Sequence, residues 1–272
     1  MMKNGRITLE KNVTMDYVTM DYVAFGRGTR PLVILPGLGD GLRGVKGTAL
    51  PMSILYRAFS KDFRVYLFSR KDPLLPSRTT RDFARDQKAA MDRLGISKAD
   101  VVGVSQGGMI AQFLAIDYPE AVGKLVLCAT CPQPNPTLET AVTLWMRMAR
   151  RGDAMSLMRD NVERIYSPRY VKRLGWLAPI VGLLTAPSSF HRFLVMAQAC
   201  LDHNALEELP RITAPTLIIG GEQDRVLTGL ASYELANKIP GSRLVMYPDL
   251  GHSVYEEAPD FQSRVLEFLL EP

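Results

Sequence analysis

The chain has 272 residues, 47% of them hydrophobic and 22% charged, with a formal net charge of +5. This balance excludes a disordered chain, a collagen and a coiled coil, and the length suffices to bury a core without disulfides or metals. The basic residues are scattered among acids, and the densest group, Arg147, Arg150 and Arg151 beside Asp153, reads as a solvated helix face, so no nucleic-acid partner is expected.

From the N-terminus, MMKNGRITLE has no apolar run after its charges, which argues against a secretory leader. VTMDY at residues 13–17 recurs at 18–22, and a five-residue offset puts the copies on opposite faces of a straight strand, so a hairpin or a bent strand is expected. Alternation follows: a strand at 32–35, a helix at 48–60, a strand at 63–68 and a helix at 79–94. Thr79 or Thr80 can cap that helix, and Phe83, Met91 and Leu94 share its face. Then come a strand at 100–104, a helix at 106–118 that stops before Pro119, and a strand at 124–128. Residues 132–210 show helical periods and no clear strand. Alternation resumes with a strand at 216–219, a helix near 229–238, a strand at 243–246 and a last helix over 258–270. Strands alternating with helices imply a mostly parallel sheet with helices on both faces. The expected organisation is a core of residues 1–131 and 211–272 with a helical cap, 132–210, lying over the C-terminal edge of the sheet, where ligands bind in such folds.

The longest apolar stretch, residues 175–187, is too short to span a bilayer and is broken by Pro179 and Pro187, so no integral membrane segment is expected. Cys128, Cys131 and Cys200 are an odd number in a large domain and read as reduced thiols of a soluble, cytoplasmic protein. Cys128 and Cys131 form a C-x-x-C, but one ends a strand and the other precedes a proline. They read as core thiols rather than a redox pair or a metal site, and neither a metal nor a cofactor is expected.

Chemistry concentrates at Gly103, Ser105 and Gly107, a G-x-S-x-G between an apolar strand and a helix. In a sharp strand-to-helix turn the serine hydroxyl stands clear of the sheet, and small neighbours admit the close backbone. A serine nucleophile needs a base. Of the three histidines, His252 lies on a loop after a strand, at the same sheet edge as Ser105, and is the expected base. His203 reads as a helix-start or surface residue, and His191 as a structural residue or a cap residue near the pocket. The imidazole needs an acid: Asp224, just past the 216–219 strand, is expected, with Glu222 as fallback and Asp249 as a turn former. The oxyanion donors expected are the backbone N–H of Gln106 and that of Leu38 in PGLGDG.

On these residues, and on LVILPGLGD, VVGVSQGGMIAQFLAIDYPEAVGKLVLC, LPRITAPTLIIGGEQDRV and YPDLGHSVYEEAPDFQSRVLEFL, the sequence resembles the α/β-hydrolase superfamily over nearly its whole length. It is similar to the small capped members: carboxylesterases, 3-oxoadipate enol-lactonases, C–C bond hydrolases and perhydrolases. The resemblance implies an eight-stranded, mostly parallel sheet and a serine hydrolase of carboxylic esters or lactones working through an acyl-enzyme on Ser105. A C–C hydrolase, perhydrolase or acyltransferase on the same residues is the alternative, and a receptor with little turnover a further one. Many relatives carry His-Gly where this chain has Pro36-Gly37, so the support of the oxyanion loop differs. Ser105 argues against dehalogenases and epoxide hydrolases, which place aspartate there. Among the cap aromatics, Trp145, Trp176 and Phe190 are the candidates to roof a pocket for a small substrate with an apolar part; the run near Trp176 is also open to lipid contact.

Overall fold

The computed structural model describes residues 2–10 and 18–272. Its strands are β1 (Lys3–Glu10), β2 (Val18–Phe25), β3 (Arg30–Leu35), β4 (Phe63–Asp72), β5 (Ala99–Val104), β6 (Val122–Cys128), β7 (Thr216–Gly221) and β8 (Arg243–Tyr247). They form one sheet in the order β1-β2-β4-β3-β5-β6-β7-β8. The first two strands pair antiparallel, β2 runs antiparallel to β4, and every later pairing is parallel. Of the VTMDY repeat, the second copy begins β2, and the first lies outside the described residues.

The strands alternate side chains between two packed layers. Leu32, Ile34, Val102 and Val104 face one way, and Val33, Leu35, Val101 and Leu127 the other. The second layer is covered by α2 (Thr80–Arg93), α3 (Gln106–Asp117) and α9 (Leu230–Lys238); the first by α1 (Ala49–Leu55) and α11 (Phe261–Leu270). Thr79 caps α2 in a reciprocal box with Asp82, satisfying two otherwise orphaned N–H groups. The helix α3 is buried along nearly its whole length, against the sheet, α2 and the inserted segment, and its two glutamines donate to Met196 O and Cys131 O.

Between β6 and β7 run α4 (Pro136–Arg150), α5 (Ala154–Ile165), α6 (Pro168–Leu174), α7 (Ala178–Leu184) and α8 (His191–Leu201). Leu138, Val142 and Trp145 of α4 pack with Phe193 of α8 onto Met109, Val226 and Leu227 at the sheet's C-terminal edge. No helix is long and apolar enough to cross a membrane among the described residues.

Three boundaries differ from expectation by three residues or more. The helix expected over 48–60 stops at Leu55, Tyr56 leaves helical geometry, and Arg57–Ser60 continues as a 3-10 turn. The last helix begins at Phe261, because Ala258 precedes Pro259 and takes extended backbone; a short α10 (Val254–Glu257) comes before it. The strand expected over 63–68 runs on to Asp72 through buried Ser69, Arg70 and Lys71, whose polarity hides them from an apolar pattern.

Candidate active site

Ser105 sits between β5 and α3 at φ 54°, ψ −122°, a conformation that disfavours any residue with a Cβ. Its N–H donates to Cys128 O at 2.9 Å, and its C=O accepts from Gly108 N at 2.8 Å, so the turn is held from both sides. The flanking glycine is a steric requirement: a Cβ on Gly107 would stand 1.9 Å from Leu35 O. This is the physical content of the G-x-S-x-G spacing.

His252 lies on the loop after β8, and its Nε2 is 3.0 Å from Ser105 Oγ. Its Nδ1 is 2.8 Å from Asp224 Oδ2, on the loop after β7. A carboxylate only accepts, so Nδ1 carries the proton and Nε2 is left to accept from the serine hydroxyl. The other Asp224 oxygen accepts from Val226 N at 2.7 Å and Leu227 N at 2.8 Å. Burial presses the Asp224 carboxyl upward, yet the electrostatic attraction and hydrogen bond of His252 and the two N–H groups outweigh it, holding it below the usual carboxylate range. Both side chains are buried. Glu222 stands apart, accepting from Tyr233 O–H at 2.5 Å, and Asp249 lies in the turn after β8.

Gln106 is the first residue of α3, so its N–H has no intrahelical acceptor. Leu38 opens a 3-10 turn, Leu38–Gly41. The loop before it passes close over the serine: a Cβ on Gly37 would stand 3.1 Å from Ser105 Cβ. Its support comes from residues that the sequence did not single out. Fully buried Arg70 donates from Nη2 to Pro36 O at 2.7 Å. Burial pushes that guanidinium down to about 10, partly offset by Asp40. Asp40 accepts from Ser69 Oγ at 2.6 Å, from Arg70 N at 3.2 Å and from Arg192 Nη2 of α8 at 2.7 Å. Arg192 also donates to the carbonyls of Arg70 and Lys71. An ion pair thus joins the inserted helices to the loop carrying Leu38.

The insertion also grips the His252 loop. Ser253 N donates to Ile165 O, and Glu257 accepts from Ser167 N, Ser167 Oγ and Ser253 Oγ. Tyr166 O–H donates to Glu256 at 2.6 Å.

Over Ser105 lies a cavity of about 320 Å³, walled by Leu38, Met109, Leu138, Val142, Trp145 and Tyr255 among others. Trp145 stands in that wall, its indole N–H on Asp160 at 2.7 Å. The other two aromatic candidates do not. Trp176 is 68% exposed on the outside of the insertion, where a short turn before α7 carries it away from the core. Phe190, at the start of α8, lines a neighbouring cavity instead. The surface reading of His203 is also overturned. It is buried, accepting at Nδ1 from Thr80 O–H (2.8 Å) and donating from Nε2 to Gln112 Oε1 (3.3 Å), with burial lowering its pKa to about 3. His191 is exposed at the start of α8, donating from Nε2 to Leu74 O. The three cysteines are free and buried, and burial pushes the Cys128 and Cys131 thiols up and that of Cys200 to about 12.

The profile of the alpha/beta hydrolase family matches residues 32–264. A 2-hydroxy-6-oxononadienedioate/2-hydroxy-6-oxononatrienedioate hydrolase of a Pseudomonas species is 27% identical over 260 residues, covering 90% of this chain and 89% of that protein. Among solved structures, an α/β hydrolase enzyme from a Medee basin deep-sea metagenome library superposes with TM-score 0.81 at 24% identity, covering 94% of this chain and 95% of its own. The enol-lactonase from Burkholderia xenovorans LB400 superposes with TM-score 0.80 at 24% identity, covering 93% and 97%. With the strand order, the serine turn and the profile match over most of its length, the chain belongs to the α/β hydrolase family.

Proposed function

We propose that the protein is a serine hydrolase of small to medium carboxylic esters or lactones with an apolar part, residues 132–210 acting as a cap on a core of 1–131 and 211–272. The observation that carries this reading is the unbroken hydrogen-bond chain from Asp224 through His252 to Ser105 at the floor of a largely apolar cavity. His252 Nε2 takes the Ser105 proton as Oγ attacks the ester carbonyl, and Asp224 stabilises the imidazolium. The N–H groups of Leu38 and Gln106 receive the oxyanion. His252 then protonates the leaving alkoxide, and a water deprotonated by the same ring releases the acid from Ser105.

C–C bond hydrolysis is the second reading, supported by the similarity to the Pseudomonas enzyme, whose named substrate is a dioate with two carboxylates. Two anionic groups call for cations in the cavity. Among the described residues its wall includes no lysine or arginine; of its two carboxylates, Asp40 is already paired with Arg192, and Glu256 is the other. That balance favours a neutral ester or lactone. A fluorophosphonate probe with mass-spectrometric mapping, beside a panel of p-nitrophenyl esters, lactones and vinylogous diketone acids, tests the reading. Labelling of Ser105 with turnover of the neutral substrates is expected; turnover of the diketone acids alone would move the assignment to C–C hydrolysis, and no labelling of folded protein would sink it.

A further inference from the structure

The helix α7 turns outward a face that nothing else in the described chain covers. Ile180, Leu183 and Leu184 recur at the spacing of one helix face and are 48%, 63% and 78% exposed, with Trp176 just upstream. Leu174, Val181 and Met155 are exposed as well. Single apolar residues on a surface are ordinary, whereas a contiguous group of this kind marks an interaction site. The inner side of α7 is spoken for, since it packs on α5.

Along this stretch of sequence the charge has one sign, and the carboxylates that meet it, Glu256 and Glu257, are held at its start by Tyr166 and Ser167. From residue 164 to residue 201 the sequence has no aspartate or glutamate. α6, immediately before the patch, carries exposed Arg169, Lys172 and Arg173. A tryptophan and aliphatic side chains beside a set of cations complement an anionic lipid surface: the cations meet the headgroups, and the apolar face enters the boundary below them. A twofold contact between copies would instead bring like-charged patches together. A cavity of about 290 Å³ lies behind the same helix, walled in part by Val181, Pro187 and Phe190, and it shares Gly39, Leu42 and Asn161 with the cavity over Ser105. The patch thus stands on the outer wall of a space that adjoins the serine.

We propose that α6 and α7 form a peripheral lipid-binding face that seats the protein on an anionic bilayer. The proposal stands on the surface alone and does not depend on the role of Ser105.

Co-sedimentation of the full chain with vesicles of two parts phosphatidylcholine to one part phosphatidylglycerol, against pure phosphatidylcholine, tests it. Binding to the anionic vesicles, weakened by salt, is expected, with a blue shift of tryptophan emission that reports Trp176 because Trp145 is buried. The pairs Trp176→Ser with Leu184→Ser, and Lys172→Glu with Arg173→Glu, are each expected to lower partitioning at least about tenfold. Both alter exposed side chains, so melting and far-UV circular dichroism are expected to be unchanged. No binding to the anionic vesicles overturns the proposal, as does equal binding by the variants. A dimer that Trp176→Ser with Leu184→Ser converts to monomer also overturns it, by giving the face to a second copy.

Discussion

Ser105 combines two properties that a hydrophobic pattern cannot display: the place of the proposed nucleophile and a backbone that resists it. At φ 54° and ψ −122° the cost is on the order of 1–3 kcal/mol for a residue with a Cβ. Ser105→Ala is therefore expected to lose about 10⁴-fold or more in kcat while melting like the parent, since it keeps the strain. Ser105→Gly, equally inactive, is expected to be more stable than Ser105→Ala by about 1 kcal/mol, read by urea denaturation; equal stabilities would mean that the turn is not strained. The elbow was legible because its chemistry is local: two glycines, one serine and a strand before a helix. Asp224 and His252 were legible because chain order and sheet polarity bring their loops to one edge. Trp176 and Phe190 were misread because composition names an aromatic without saying which way its helix turns it.

At the scale of elements, the loop between β3 and the Leu38–Gly41 turn depends on α8. Arg192 reaches Asp40 across 152 residues of sequence, a separation at which no spacing rule operates. The same holds for Arg70, one of the basic residues scattered along the sequence, which the fold buries completely. If this pair aims the Leu38 N–H, Arg192→Ala lowers kcat on the order of 10–100-fold with little change in KM for a short ester, because an oxyanion donor acts on the transition state. Arg192→Lys is expected to recover part of the loss, one charge replacing a fork of donors. A rise in KM at unchanged kcat would assign Arg192 to substrate binding instead. A fall in Tm with intact kinetics would leave it a purely structural clasp.

For the whole molecule, the alternation of strands and helices was enough to read the layered architecture, since each parallel strand must be covered on both faces. How the insertion docks was not readable, because it rests on buried polar bridges such as Thr80–His203–Gln112. That bridge makes stability depend on pH. The native His203 titrates near 3 and an unfolded histidine near 6.5, so below 6.5 the unfolded chain binds the extra proton and stability falls with pH down to about 3. Between pH 7 and 4.5 the loss from this residue is about 3 kcal/mol. Urea midpoints at the two pH values are expected to shift more for the parent than for His203→Gln. Parallel shifts would mean that His203 is not held neutral. Asp224, held below its ordinary range, adds to the same decline at the acid end.

The grip of Ser167 and Tyr166 on Glu257 and Glu256 has a consequence for engineering. Exchanging inserted helices between relatives is a natural route to new specificity, and it treats that segment as a removable part. Here the segment's own hydrogen bonds reach the loop that carries His252, so a graft that omits them is expected to change how the imidazole is held as well as the wall above it. A chimera that keeps residues 165–167 and replaces only the helices around them separates the two effects; one that takes the whole insertion changes both together.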